Sequence, residues 1–335
     1  MKKPLLLISI LSLLVVILVL YSLNLFGIRI SRWRFPDPAL RNAVLTYVDT
    51  DRNDVLSKKE LEDAKILIIS GECNDFSGIK YLKNIERLSL HDCSDLSGLE
   101  KLTNLKELSF SGQCPDLSSL ENMADLETIE FWNVEFSETF VLENSIPVKS
   151  VIFRSCVFEK GVLFKNDSAE YVEFGYCGNG ECVANGDLIF KDCASLNSFR
   201  AEFDTYYFDI EQEQSCNIDL SGCNNLDWLS IWSEDKQRVP SINLSNCSKL
   251  SSFAIYDLHY GDEIAEINLN ISGSPNINNI NLPNGIKELD ISDCPHLIAA
   301  SEQTPHEGED HTDIVYECEE GYIETSNEQL VFIHN

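Results

Sequence analysis

Pairs of apolar residues separated by one residue recur at a nearly constant interval through the first half of this 335-residue chain. The pairs are Leu67/Ile69, Leu88/Leu90, Leu108/Phe110, Ile129/Phe131, Val151/Phe153 and Val172/Phe174, at successive intervals of 21, 20, 21, 22 and 21 residues. Such alternation is typical of a short β-strand with one buried face. One strand of this kind cannot bury its inward residues alone, whereas stacked coils bury a continuous apolar column. The period therefore predicts one continuous stack of coils.

The second half keeps the apolar pairs but changes their spacing. Leu188/Phe190 comes early, and later copies begin at Ile218, Ile242 and Leu289, with a degenerate copy at Ile267. Two of these copies contain a second alternating run, Leu229/Ile231 and Phe253/Ile255. We interpret this as two short strands per coil.

The repeated segments themselves resemble a known family. IERLSLHDCSDLSGLEKLTN and LKELSFSGQCPDLSSLENMAD share an apolar–x–apolar pair, a turn with Cys, and two spaced Leu residues. At these residues the chain resembles the bacterial leucine-rich repeat family, over roughly residues 65–300. The resemblance implies a repeat solenoid (leucine-rich repeat) of mainly short parallel β-strands, with the later coils closer to a β-solenoid, and a role in binding other proteins.

The twelve cysteines follow the repeats. Seven lie three residues after the second strand residue, at Cys93, Cys156, Cys177, Cys193, Cys223, Cys247 and Cys294. Leucine-rich repeats hold Asn or Cys at this position, so a ladder of buried, reduced thiols is predicted. Cys73 and Cys114 are shifted by one residue, and a small disulfide between Cys177 and Cys182 is an open alternative. The states of Cys73, Cys114, Cys182, Cys216 and Cys318 are not fixed by the pattern.

The stretch DTDRNDVLSKKE, residues 49–60, carries oxygen donors at the spacing of a calcium-binding loop. Asp49, Asp51 and Asn53 occupy positions 1, 3 and 5, and Val55 would offer its carbonyl at position 7. Ser57 would act through water at position 9 and would also cap a second helix, and Glu60 would be bidentate at position 12.

This loop resembles an EF-hand, although Asp54 stands where the family has Gly. Asp adopts a positive φ less readily than Gly, which weakens binding without excluding it. The resemblance implies one calcium ion in an α-helical, EF-hand-like N-terminal cap covering the open end of the solenoid. A cap that binds no metal is the alternative.

The N-terminal segment MKKPLLLISILSLLVVILVLYSLNLFGIRISRWRF has no charge from Pro4 to Ile28. About 20 such residues span a bilayer as a helix, and Trp33 with the flanking arginines is typical of an interfacial belt. We expect an uncleaved N-terminal transmembrane helix and an exported C-terminal domain, periplasmic or extracellular. A cleaved signal peptide on a soluble secreted protein is the alternative.

The net charge and the absence of catalytic motifs in the sequence disfavour two classes of function, nucleic-acid binding and catalysis. There are 55 acidic and 25 basic residues, a net charge of −30, which disfavours nucleic-acid binding and favours basic partners. No catalytic motif is evident; HEGEDH at 306–311 has one residue too many for a zinc-protease helix. We expect a binding module and not an enzyme. The alternative is an enzyme with a site assembled across the irregular repeats around 175–215.

Four regions are predicted: an anchor (1–34), the EF-hand-like cap (35–64), the solenoid (65–300) and an acidic tail or cap (301–335). An unknown protein partner is expected on the strand face, where alternation turns one set of side chains outward. The predicted partner-binding residues are Glu130, Trp132, Arg154, Tyr171 and Glu173. A rival patch on another face is expected at Trp228 and Trp232.

Overall fold

The computed structural model describes residues 12–16, 27–175, 181–204, 214–234, 237–258, 266–308 and 313–334. These residues divide into two compact units. The first lies within Met1–Leu108 and Pro115–Asp125, and the second within Ser109–Cys114 and Leu126–Asn335.

The first unit begins with a helix–loop–helix segment and continues into coils with short 3-10 returns. Its elements are β1 (Ile28–Arg29), α1 (Pro38–Tyr47), β2 (Val55–Leu56), α2 (Lys58–Asp63), β3 (Ile66–Ile69), η1 (Ser77–Tyr81), β4 (Arg87–His91), η2 (Leu99–Lys101) and η3 (Leu117–Asn122). A further strand, β5 (Glu107–Gly112), begins in this unit and ends in the second. β3 and β4 are parallel, with Leu67 beside Leu88 and Ile69 beside Leu90. These two predicted apolar pairs are therefore stacked and buried.

Side-chain caps fix where the two helices start. Asp37 accepts hydrogen bonds from the backbone N–H groups of Ala39 and Leu40, and Pro38 occupies the first turn of α1. Ser57 and Glu60 form a reciprocal capping box at α2. The predicted capping box is therefore confirmed.

The second unit is a parallel β-solenoid with two long sheets. The front sheet contains, in spatial order, β6 (Thr128–Phe136), β8 (Ser150–Arg154), β11 (Tyr171–Phe174), β14 (Ser198–Phe203), β17 (Trp228–Glu234), β20 (Ser252–Leu258), β22 (Asn279–Leu282) and β26 (Gly321–Thr325). The back sheet contains β7 (Phe140–Leu142), β10 (Val162–Phe164), β13 (Leu188–Ile189), β16 (Ile218–Asp219), β19 (Ser241–Asn243) and β21 (Asn268–Asn270). The coils that begin at Ile218 and Ile242 each have one strand in the back sheet and one in the front sheet, which confirms the prediction of two short strands per coil.

Shorter strands and one helix complete the second unit. They are β9 (Val157–Phe158), β12 (Val183–Ala184), β15 (Gln214–Ser215), β18 (Gln237–Arg238), β23 (Glu288–Asp290), α3 (Pro295–Ser301), β24 (His306–Glu307), β25 (Ile314–Cys318) and β27 (Val331–Ile333). The stretch 301–335, expected as a tail or a cap, contributes β24 to β27. β26 pairs parallel with β22, and β25 returns antiparallel along β26.

The change of repeat spacing after Phe174 has a physical cause in the two sheets. The pairs at Leu188, Ile218 and Ile242 lie in the back sheet, side by side. The front-sheet series continues instead through Phe199/Ala201, Leu229/Ile231, Phe253/Ile255 and Ile280/Leu282. Both sheets have the same alternation, so the sequence pattern alone mixes the two series.

The degenerate copy assigned to Ile267 is shifted by two residues. Leu269 and Ile271 are the buried residues of that coil, and Leu269 lies beside Ile242 in the back sheet. Ile267 itself precedes β21 and is half-buried.

Stacked phenylalanines fill the core where the second unit begins. The rings of Phe110, Phe131, Phe153 and Phe174 follow one another with centroids 4.8–5.4 Å apart. Offset stacking of this kind adds about 0.5–1.5 kcal/mol per pair beyond apolar burial. Each coil is thereby held in register with the next.

All eleven cysteines that the structure describes are free thiols, and Cys177 lies outside the described residues. Two of these thiols are buried in the turns that follow back strands along the chain. Cys223 Sγ donates to the Phe190 carbonyl (3.1 Å), and Cys247 Sγ donates to the Leu220 carbonyl (3.2 Å). The side chain one coil further on is Ser274, whose Oγ donates to the Leu244 carbonyl (2.8 Å). The ladder therefore includes a serine that the cysteine pattern did not predict.

No helix within the described residues is long and apolar enough to cross a bilayer. The predicted anchor, 1–34, lies largely outside those residues, since only 12–16 and 27–34 are described. Residues 27–34 pack on the first unit, because β1 pairs antiparallel with β2.

Candidate functional site

The front sheet of the second unit aligns its outward side chains in rows. One row places Tyr171 beside Ser198, then Trp228, Ser252, Asn279 and Tyr322. A second row places Trp132 beside Arg154, and further along it Glu202, Trp232 and Tyr256 are neighbours. The rows arise because parallel in-register strands put equivalent positions side by side.

Four of the five predicted partner-binding residues meet in one polar network. Arg154 pairs with Glu173 through Nη1, and its Nε lies 3.6 Å from Glu130 Oε1. The Tyr171 hydroxyl donates to the other oxygen of Glu173. Arg154 Nη1 also donates to the Gly175 carbonyl at 2.7 Å.

This network is mostly covered. The side chains of Arg154 and Glu173 are 15% and 6% exposed. Burial and the bond to Glu173 raise the pKa of Tyr171 well above its ordinary value. Alternation predicts which way a side chain points, but long neighbours cover one another, so these residues hold the strands together more than they offer surface.

Aromatic side chains supply the accessible part of the front sheet. Trp132, Trp228, Tyr256 and Tyr322 are 41%, 40%, 42% and 37% exposed. Trp232 stands between Glu202 and Tyr256, with its ring centroid 6.4 Å from that of Tyr256. Its indole nitrogen is buried and finds no hydrogen-bond partner among the described residues.

The surroundings of these aromatics are acidic. Burial raises the pKa of Tyr256, and the charges of Glu324 and Asp313 raise it further. The pKa of Tyr322 is raised by burial and by Glu324. Strands β17, β20, β22, β25 and β26 contain no Lys or Arg. This end of the face is therefore aromatic and negative.

In the first unit, side-chain carboxylates of the loop 49–60 accept hydrogen bonds from the backbone of the same loop and so stabilise its turn. Asp49 accepts from the backbone N–H groups of Asn53 (3.2 Å) and Asp54 (3.0 Å). Asp54 has φ +62°, the left-handed conformation that this loop position requires. Asn53 Oδ1 accepts from the Val55 N–H at 2.7 Å. β2 then pairs with β1, with Val55 beside Arg29 and Leu56 beside Ile28.

Glu60 closes the loop. One carboxylate oxygen accepts from the Thr50 N–H (2.8 Å), and the other accepts from the Ser57 N–H and hydroxyl (both 2.8 Å). Burial alone would raise the pKa of Glu60, but these hydrogen bonds outweigh it and lower the pKa to about 2. The residue is therefore an anion across the physiological range.

The loop can be compared with what calcium needs. Oxygen atoms of Asp49, Asp51 and Glu60 all lie within 4.8 Å of one another. Calcium–oxygen distances of 2.3–2.6 Å allow ligands up to about 5 Å apart around one ion. Three carboxylates therefore fit a hard divalent cation, while Asn53 and Ser57 would have to exchange internal hydrogen bonds for ligation.

Comparison with known proteins finds similar chains among solved structures. No family model matches the chain, and no curated protein matches it. Among solved structures, an internalin (InlF) from Listeria monocytogenes str. 4b F2365 is 17% identical with a TM-score of 0.30, covering 78% of this chain and 92% of the other. The functional domain of InlJ from Listeria monocytogenes, described as including a cysteine ladder, is 14% identical with a TM-score of 0.33, covering 81% and 70%. The repeat fold assigned here rests on the strand register, not on these scores.

The position expected for the rival patch is corrected by the register. Trp228 and Trp232 lie on the front sheet, in the same rows as Tyr171 and Glu202. Leu229/Ile231 is a front-sheet pair, so its flanking tryptophans belong to the face already described. Sequence reasoning also missed Tyr256 and Tyr322. Alternation around Phe253/Ile255 could have found Tyr256, but Tyr322 reaches the face through a terminal strand with no repeat signal.

The alternative enzyme site around 175–215 falls partly outside the described residues, which omit 176–180 and 205–213. Within the described part, Cys182 donates to the Phe153 carbonyl at 3.5 Å and is buried. Gln237 is fully buried and bonds both the N–H and the carbonyl of Ala184 at 2.9 Å. The first contact joins neighbouring coils, and the second joins coils two apart, since 53 residues separate Gln237 from Ala184.

Proposed function

We propose that this chain is a membrane-anchored repeat protein whose front sheet binds a basic, extended segment of another protein. The observation that carries the proposal is the set of exposed aromatic side chains, Trp132, Trp228, Tyr256 and Tyr322, on one sheet face. Tryptophan and tyrosine are enriched at interface hot spots, since they offer large rigid area.

The charge of the face selects the chemistry of the partner. Glu324 and Asp313 act on Tyr256, and the strands around it lack cations. A Lys or Arg side chain placed over Trp228 or Tyr256 gains a cation–π contact as well as attraction to these acids. An acidic partner would meet like charge.

Capture of the partner from extracts of the source, with the full chain as bait, tests this function. Trp228→Ala/Tyr256→Ala should lose the partner, and Trp132→Ala should weaken capture less because its neighbour Arg154 is cationic. Tyr47→Ala removes an aromatic of similar exposure (44%) on α1 and is the matched control. Unchanged capture by both front-face variants would remove this face as the binding site.

We further propose that one calcium ion stabilises the N-terminal helix–loop–helix segment. The nearness of the Asp49, Asp51 and Glu60 oxygens supports it. The Val55 carbonyl, Asn53 and Ser57 would complete the ligand set. When bound, the ion would neutralise charge repulsion among the carboxylates and hold α1 and α2 together.

A further inference from the structure

The chain emerging from the predicted anchor forms a turn with an unusually exposed tryptophan. Trp33 is 95% exposed, against 41% for Trp132 and 40% for Trp228. Its neighbours Arg29, Arg32 and Arg34 are also exposed. We propose that this turn, residues 29–34, together with Lys80 is a docking surface for an anionic lipid bilayer.

The turn is a fixed part of the first unit. Phe35 is fully buried and its N–H bonds the Ser31 carbonyl at 2.9 Å. A side chain at Gly78 would lie 2.7 Å from the Arg34 carbonyl, so η1 can approach the turn this closely only with glycine. A side chain at Gly27 would lie 2.5 Å from the Leu56 carbonyl, so the segment before β1 is also closely seated.

Packing groups cations on this surface. The Arg34 guanidinium lies 5.7 Å and the Lys80 ammonium 5.3 Å from the centre of the Tyr81 ring. Residues 27–36 and 76–84 carry five basic residues and no acid, in a chain with 55 acids and 25 bases. Anionic headgroups would attract this surface and repel the acidic remainder, so the charge pattern also selects which side faces the membrane.

The length of the uncharged chain before the turn would place Trp33 near the headgroup level of the bilayer. The uncharged run Pro4–Phe26, which precedes Gly27 and β1, would extend about 35 Å as a helix, at 1.5 Å per residue, against a hydrocarbon core of about 30 Å. Trp33 follows seven residues later, within about 25 Å of chain. Tryptophan favours this headgroup level, since its ring is apolar and its N–H is polar.

The occupant is thus the bilayer that holds the anchor, and the inference rests on the proposed membrane attachment. The proposed calcium loop (residues 49–60) and the proposed docking turn (residues 29–34) are joined through the β1–β2 pair, because Arg29 lies beside Val55. The docked turn would fix how the first unit stands on the membrane.

The test uses the full chain in vesicles of phosphatidylcholine, with or without phosphatidylglycerol. Trp132→Phe/Trp228→Phe/Trp232→Phe leaves Trp33 as the only tryptophan, and a second variant keeps Trp132 alone. Lipids brominated near the headgroup should quench Trp33 and blue-shift its emission, and should leave Trp132 unaffected. Quenching should be stronger with phosphatidylglycerol.

Charge reversal supplies the matched comparison. Arg32→Glu/Arg34→Glu should lose the phosphatidylglycerol-dependent quenching of Trp33, whereas Lys101→Glu/Lys106→Glu, two exposed sites elsewhere in the first unit, should retain it. Chains that float with the vesicles but show no quenching of Trp33 overturn the docking surface and leave the anchor intact. Chains that do not float with vesicles overturn both.

Discussion

At the scale of single residues, the ladder position in the turn after a back strand requires a small, buried hydrogen-bond donor. In each case the side chain donates to the carbonyl of the residue that follows the back strand of the preceding coil, as seen for Cys223, Cys247 and Ser274. Ser274 also accepts from the Cys247 N–H at 2.9 Å. A thiol and a hydroxyl are therefore interchangeable donors here, and what matters is that buried backbone groups are satisfied.

Replacing Ser274 tests this requirement. Ser274→Ala leaves two buried backbone groups without a partner and should lower the free energy of unfolding by about 2 kcal/mol. Ser274→Cys restores a donor and should cost less. Chemical denaturation measures both, with the exposed Ser272→Ala as control. Equal losses for Ala and Cys would show that the hydrogen bonds are unimportant.

The same position makes the thiols unreactive. Neighbouring Cys193 and burial raise the pKa of Cys223, and burial raises the pKa of Cys247 to about 11. Because the thiolate is the nucleophile, alkylation at neutral pH should label both residues only after denaturation. Mass spectrometry of native and denatured samples reads the result. Rapid native labelling, or recovery of these cysteines in disulfides, would contradict it.

At the scale of elements, the loop 49–60 joins α1 and α2 through one buried carboxylate. Glu60 accepts from residues at both ends of the loop, Thr50 and Ser57. Asp37 plays the same part at the start of α1, where it also accepts from the Asn74 N–H at 3.0 Å. These anions attach the helices to the loop and to the first coil.

Acid should weaken this segment through Glu60. Its pKa falls from an ordinary 4.5 to about 2 on folding, so its contribution is complete above pH 4.5 and is lost as the pH falls toward 2. The loss amounts to at most about 3 kcal/mol. Unfolding with chelator present, at several pH values, should show this component in the native chain and not in Glu60→Gln. Glu62→Gln, exposed on α2, should behave like the native chain.

Calcium should raise the melting temperature if the loop binds it. Ligand at ten times its dissociation constant stabilises the folded state by about 1.4 kcal/mol, and millimolar calcium should suffice for a weak site. The shift between calcium and chelator should vanish in Glu60→Ala and persist in Glu62→Ala. Comparing each variant with itself separates lost binding from the lost cap. Identical curves in calcium, magnesium and chelator would favour the metal-free cap.

At the scale of the whole molecule, the acidic chain has one basic N-terminal stretch next to a long uncharged run. The proposed membrane contact uses this basic stretch, whereas the proposed partner contact uses the front sheet, so the two proposals involve different residues.

Retention of the anchor can be measured directly. The uncharged run has no small-residue cleavage site after it, so intact mass and N-terminal sequencing of membrane-fraction protein should show an uncleaved chain. A mature chain beginning near Ile28 would establish the signal-peptide alternative and remove the membrane attachment.

The sequence by itself determined the repeat, the direction of the strand side chains and the capping box at Ser57 and Glu60. It could do so because burial imposes a strict period on strands and because caps act between residues a few positions apart. The nearness of the Asp49, Asp51 and Glu60 carboxylates was equally visible, since one short segment carries them all; that they bind calcium stays a prediction.

Only the tertiary structure decided which sheet each strand joins. Leu188/Phe190 and Leu229/Ile231 have the same alternation, and only the strand pairing places the first in the back sheet and the second in the front sheet. The structure also decided that Arg154 and Glu173 are covered while Tyr256 and Tyr322 are exposed. Exposure depends on side chains brought together from distant coils, and no local pattern records those neighbours.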